Sequence, residues 1–229
     1  MTLNTGGLLR KVSPMVDWRR RMKRSLGFVF LTLAVLSFSG CGRSAIEGYI
    51  DIAKEKGGIS KEYLTVLNKW SRDQIIYSQF ETKVRIAVTY KSREFQDAYA
   101  REYSRIYLLT QLEEKKRTDA LAGLAADALE FFFYAYIPEK TQNDFAKQDS
   151  IWTIFLMGDR GERFYPIEVR QIEKVTPMVE AFYPYGNPYY GNYYTLRFKP
   201  LAADGKAPSG MKLIFTSVLG RIEYEWKSE

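Results

Sequence analysis

The densest run of side chains able to grip a ligand is AFYPYGNPYYGNYYTLRF, which sets Phe182, Tyr183, Tyr185, Tyr189, Tyr190, Tyr193 and Tyr194 among Pro184, Gly186, Pro188 and Gly191. A tyrosine ring is rigid, apolar on its faces and polar at its tip. It loses little entropy when held, which suits a sugar, a peptide or a protein surface. Two outcomes are open for this run. Either Tyr185, Tyr189 and Tyr190 stand at a loop tip and bind a ligand, or the rings pack over a sheet edge while Pro and Gly shape a long hairpin loop.

Acid–base and nucleophilic chemistry is restricted by the absence of histidine and by a single cysteine, Cys41. No Ser-His or Cys-His pair can form, no imidazole is available to a zinc or haem site, and an intrachain disulfide is excluded. Carboxylates remain, but Asp119, Asp127, Glu130, Asp144, Asp149, Asp159 and Glu162 are scattered and lack the spacing of a calcium loop. No GxSxG, Walker, GxGxxG or HExxH motif occurs. The expectation is a protein with no catalytic residue, no metal and no cofactor. A carboxylate-based hydrolase is the least favoured reading, since its paired acids would have to meet in space.

The formal net charge of +7 is unevenly spread. Residues 1–40 hold Arg10, Lys11, Arg19, Arg20, Arg21, Lys23 and Arg24 against one acid, Asp17, whereas the chain from Cys41 onward is nearly balanced. The basic character therefore belongs to a leader, and the remainder lacks the footprint that a phosphate backbone requires. Nucleic acid is not expected as a partner. The leader runs from the cationic cluster Arg19 to Arg24 through the apolar stretch Leu26 to Phe38 into Ser39, Gly40 and Cys41. This is the layout of a secretory signal, and it is shorter than the ~20 apolar residues of a spanning helix.

Ser39-Gly40-Cys41 resembles the lipobox of bacterial lipoproteins, with Phe38 where an aliphatic residue is usual. The resemblance implies that the Cys41 thiol receives a diacylglycerol and that a signal peptidase cuts before it. In that family the new amino terminus can also be acylated, and two or more chains anchor stably at roughly 0.8 kcal/mol per buried methylene. Gly42, in place of the aspartate that retains such proteins at the inner membrane, implies an outer-membrane location facing the periplasm. The alternative is an uncleaved signal anchor ending in an inert Cys41. MKRSLGFVF from Met22 would by itself begin a complete signal, so residues 1–21 read as an over-extended start.

These residues must be positioned by elements that the sequence outlines. Residues 41–80 read as a helical N-terminal segment: Ile46, Tyr49, Ile50 and Ile52 recur at helical spacing up to Gly57-Gly58, then Ser60 caps KEYLTVLNKW with Tyr63, Leu64, Leu67 and Trp70 as its buried stripe. TKVRIAVTYKS alternates as a half-buried strand. A helical hairpin over about 93–129 follows, with one helix running to Arg117 and a second capped by Thr118; Tyr99, Tyr103 and Tyr107 form a stripe that either packs on the sheet or offers a partner groove. EFFFYAYIP, SIWTIFLMG, RFYPIEVRQIE, TPMVEAFYP, NYYTLRFKP, MKLIFTS and GRIEYEWK then read as strands. The fold class expected is α+β: a mainly antiparallel Ig-like β-sandwich over 81–229, with an N-terminal helical segment and the inserted hairpin. A lipid-anchored, non-catalytic envelope adaptor is the leading expectation for function. A carbohydrate- or peptidoglycan-binding module using the loop 182–194 is the alternative, so the expected partners are the membrane and an envelope protein or glycan.

Overall fold

The computed structural model describes residues 45–158, 160–200 and 211–226, so Cys41 with its leader, Asp159 and the whole polar segment LAADGKAPSG lie outside the described residues. Helix α1 (Ala45–Lys56) buries Ile46 and Ile50 and stops where Gly57 and Gly58 take φ of 71° and 90°, a region that glycine enters without strain. Helix α2 (Lys61–Trp70) begins at Ser60, whose Oγ accepts from the Tyr63 N–H at 3.2 Å. Its buried residues are Tyr63, Leu64 and Leu67.

The chain then turns directly into a strand, β1 (Ser71–Ser78), where the sequence suggests a continuation of the helical segment. The signal is hidden because β1 is an edge strand that buries polar groups. Ser71 Oγ lies 2.7 Å from Thr89 Oγ1, and Asp73 Oδ2 is paired with Arg85 Nε at 3.2 Å, so neither face reads as apolar. A two-residue turn of Gln79 and Phe80, both at positive φ, leads into β2 (Glu81–Tyr90).

The helical hairpin sits between β2 and β3 (Leu129–Tyr136), which are neighbours in one sheet. Its break differs from the sequence reading. Helix α3 (Arg93–Tyr107), capped by Ser92, ends at Leu108 in the left-handed conformation, and α4 (Gln111–Asp127) starts at Thr110. There Glu113 Oε2 accepts from the Thr110 N–H at 2.8 Å and Thr110 Oγ1 accepts from the Glu113 N–H at 3.4 Å, a reciprocal capping box. Thr118 is not a cap; inside α4 its hydroxyl donates to the Glu114 carbonyl at 3.0 Å. On α3 the deepest apolar residues are Phe95, Ala98 and Ala100, while Tyr99 and Tyr103 are half-buried and Tyr107 is exposed. The tyrosine stripe thus lies at the margin of the core.

The remaining strands are β4 (Thr153–Met157), β5 (Arg163–Phe164), β6 (Glu168–Gln171), β7 (Asn192–Phe198), β8 (Lys212–Ser217) and β9 (Gly220–Glu225). RFYPIEVRQIE is two strands, not one, divided at Tyr165-Pro166-Ile167, because proline cannot donate to a ladder and the chain changes sheets there. TPMVEAFYP contains a short helix, α5 (Pro177–Phe182), in place of the expected strand: Thr176 Oγ1 accepts from the Val179 N–H at 3.4 Å and Pro177 occupies the first helical position.

Two antiparallel sheets result, β1-β2-β3-β7-β6 (sheet A) and β5-β4-β8-β9 (sheet B). The larger core lies where Ile86, Val88, Phe131, Phe133 and Leu196 of sheet A meet Leu156, Leu213, Phe215 and Tyr224 of sheet B. A second core covers the opposite face of sheet A, where Ala87, Phe132, Tyr134 and Tyr193 pack against α1, α2, α3 and α5. The central part of sheet A is therefore buried on both faces, which is why β2 and β3 are almost wholly buried along their second halves instead of alternating. The fold is α+β, with mixed helices and antiparallel sheets.

Candidate functional site

Antiparallel pairing gathers four connections at one end of the strands. The β1–β2 turn, the β3–β4 connection, the β6–β7 connection and the β8–β9 turn share that end. Side chains tie its parts together. Gln74 Nε2 of β1 donates to the Glu223 carbonyl of β9 at 2.6 Å, and Tyr194 Oη donates to the Asn143 carbonyl of the β3–β4 connection at 2.8 Å. Phe80, Val218, Tyr189, Tyr190 and Tyr77 are exposed there.

The tyrosine-rich segment forms the β6–β7 connection and divides its rings between two roles. Tyr183 stacks on Phe132 with ring centroids 3.7 Å apart, and Tyr193 and Tyr194 are buried on opposite faces of β7. Tyr185, expected at the tip, is 0% exposed. Its hydroxyl lies 2.6 Å from Thr89 Oγ1 and its carbonyl accepts from Arg85 Nη1 at 3.0 Å, so it is a packed residue and not a ligand contact. Tyr189 and Tyr190, at 85% and 65% exposure, are the members that face solvent. Their loop is held from below: Tyr134 Oη donates to the Asn187 carbonyl at 3.2 Å, Asn187 Oδ1 accepts from the Tyr189 N–H at 2.9 Å, and the N–H groups of Tyr190 and Gly191 donate to the Asn187 carbonyl at 3.1 Å each. A side chain at Gly191 would collide with the Ala135 carbonyl and the Tyr134 ring, so glycine is needed here for close approach.

Titration does not enter the chemistry of these rings near neutrality. Burial raises the phenols of Tyr63, Tyr183, Tyr185, Tyr193 and Tyr224 above the usual tyrosine range, and pushes Tyr194 up to about 12. Three of the carboxylates flagged by sequence serve structural contacts. Glu130 pairs with Lys91 at 3.1 Å, Asp144 Oδ1 accepts from the Ser150 hydroxyl at 3.0 Å, and Glu162 Oε2 accepts from the Arg160 N–H at 3.0 Å. Among the described residues no group of three or more His, Cys, Asp or Glu could hold a metal ion.

A feature that sequence reasoning missed is a cavity of about 270 Å³ between the helical hairpin, α5 and the outer face of sheet A. Phe95, Leu121, Phe132, Ile172 and Val179 provide apolar walls, and Lys91, Arg117, Glu130 and Thr195 add polar groups. No local pattern could reveal it, because its lining is drawn from α3, α4, α5 and strands far apart in the chain.

No family model matches the chain, and no curated protein matches it. Among solved structures, a protein of unknown function from Burkholderia pseudomallei K96243 is similar over 80% of this chain and 89% of its own, at 13% identity and a TM-score of 0.35. Among the described residues no helix is long and apolar enough to cross a membrane.

Proposed function

We propose that the protein is a lipid-anchored component of the cell envelope, tethered through Cys41 at the outer membrane and facing the periplasm. Its folded part acts as a non-catalytic adaptor whose loop end contacts another envelope component. The strand order β2-β3-β7-β6 facing β5-β4-β8-β9 corresponds to A-B-E-D facing C′-C-F-G, which favours an Ig-like sandwich with β1 added outside and the helical hairpin inserted between the first two strands. In that arrangement the loops at one end are the usual place for recognition.

The observation that carries the adaptor reading is the presentation of Tyr189 and Tyr190 on a loop that hydrogen bonds through Asn187 pin to the buried Tyr134. Exposed aromatic anchors on a rigid base contribute contact area with little ordering cost. The tether rests on the tripartite leader ending at Ser39-Gly40-Cys41. Photo-cross-linking in cells tests the adaptor: a photoreactive residue at Phe80 or Tyr190 should give discrete adducts with one envelope protein, and the same residue at exposed Lys115 on α4 should not. Equal adducts from both faces would remove the reading.

Two neighbouring exposed rings also suit the face of a sugar, which keeps the glycan module as a second reading. Retention on peptidoglycan sacculi that is lost in a Tyr189→Ala/Tyr190→Ala double variant would favour it over a protein contact. Tyr185 is unsuited to that test, since its removal would damage the core.

A further inference from the structure

The geometry points to the cavity under the helical hairpin as a binding site for a small amphipathic monocarboxylate, with an apolar body against Phe132 and Leu121 and its carboxylate at Arg117. This does not depend on the adaptor reading, which concerns the loop end. The cavity is nearly twice the ~150 Å³ of an engineered apolar cavity that takes benzene, and at ~30 Å³ for each water's share of liquid it has room for roughly nine non-hydrogen atoms. A body of that size bounded by Phe95, Leu121, Phe132, Ile172 and Val179 must itself be apolar.

The polar groups decide which head it carries. The Arg117 guanidinium is held over the Tyr103 ring at 3.5 Å from the centroid, yet its Nε is buried without a hydrogen-bond partner. Thr195 Oγ1, on the sheet side of the same cavity, is also buried without one. Both residues line the cavity, and buried polar atoms are seldom left unpaired, so a small rotation of each side chain toward a ligand that accepts from both would satisfy them. A carboxylate is such a ligand, since it can accept from the guanidinium and from the hydroxyl.

The charge balance points the same way. Two cations, Lys91 and Arg117, line the cavity against one carboxylate, Glu130. Glu130 is already occupied: Lys91 Nζ lies 3.1 Å from Oε2, and Arg197 Nε lies 3.1 Å from Oε1 as an ion pair without hydrogen-bond alignment. Arg197 is in turn paired with Glu168 at 3.3 Å. The charge left over for a ligand is therefore positive and sits at Arg117. A neutral ligand would leave the guanidinium without an anionic partner, and a dicarboxylate would bring a second charge against the apolar walls.

Equilibrium dialysis of the full-length protein against benzoate and hexanoate, each compared with its neutral amide, tests this. At least one carboxylate should bind saturably at one per chain, about tenfold tighter than its amide, and Arg117→Gln should remove that preference. Leu121→Trp, which fills the cavity from α4, should abolish binding of both forms while circular dichroism stays unchanged. Absence of binding, equal affinity for acid and amide, or full binding by the Leu121→Trp variant would each overturn the assignment.

Discussion

Single residues carry more of this fold than their types reveal. Glu102, on α3, is 3% exposed and accepts from the Ser60 N–H at 2.7 Å and from Arg105 Nη2 at 2.7 Å, while Arg105 also donates to the Gly58 carbonyl at 2.6 Å. Burial alone would raise its carboxyl, but the hydrogen bonds from Arg105 and Ser60 together outweigh that and hold it below the usual glutamate value. A carboxyl depressed in the folded state stabilises above its unfolded pKa of about 4.3 and loses that contribution as pH falls through the lower folded value. Glu102→Gln should therefore lose about 1–3 kcal/mol near neutrality, with the gap to the wild type closing in acid; urea unfolding at about pH 7 and about pH 3 measures it. The tyrosines of the 182–194 segment give a sharper contrast. Tyr185→Ala should cost about 3–5 kcal/mol, because it empties a buried site and strips Thr89 of a partner, whereas Tyr189→Ala should stay within about 0.5 kcal/mol in the same assay. Sequence could not separate the two, since Tyr185 and Tyr189 share one Pro/Gly-rich setting with no period to assign faces; only the packing against β2 does.

At the level of elements, local chemistry was legible wherever a cap or a periodic stripe stood alone. Ser60 and the face of Tyr63, Leu64 and Leu67 identify α2 directly, and alternation identifies β2. Competing signals explain the errors. Thr118 resembles a cap, but Thr110 with Glu113 three residues on is the stronger pattern, and the left-handed Leu108 ends α3 just before it. Thr110→Ala should cost about 1 kcal/mol and raise hydrogen exchange in the first turn of α4 above that in α3. The segment 177–182 reads as a strand because its apolar residues sit among β-rich neighbours, although Thr176-Pro177 is a helix start. Gly191 marks the loop that α5 leads into. Gly191→Ala should shift the β6–β7 connection and lower stability by about 1–3 kcal/mol, and weaken any contact made through Tyr189 and Tyr190; thermal melting with the cross-linking yield checks both.

Across the whole molecule, the layering follows from sheet A being covered twice, by sheet B on one face and by helices on the other. The approximate strand count and the insertion of a helical hairpin between two strands were readable, because patterning changes period at each boundary. Two-sided burial was not, since it depends on which distant helices come to rest on Ala87, Phe132 and Tyr193. The cavity belongs to the same class of consequence, being the space that α4 and α5 leave over sheet A. What the folded part does is proposed from its loop end, but where it works is proposed from Cys41, and the adaptor reading depends on that location. Metabolic labelling with radioactive palmitate tests it most directly. The wild-type chain should incorporate label and fractionate with membranes, whereas the Cys41→Ala variant should remain unlabelled; equal labelling of the two, or none in either, would contradict the tether.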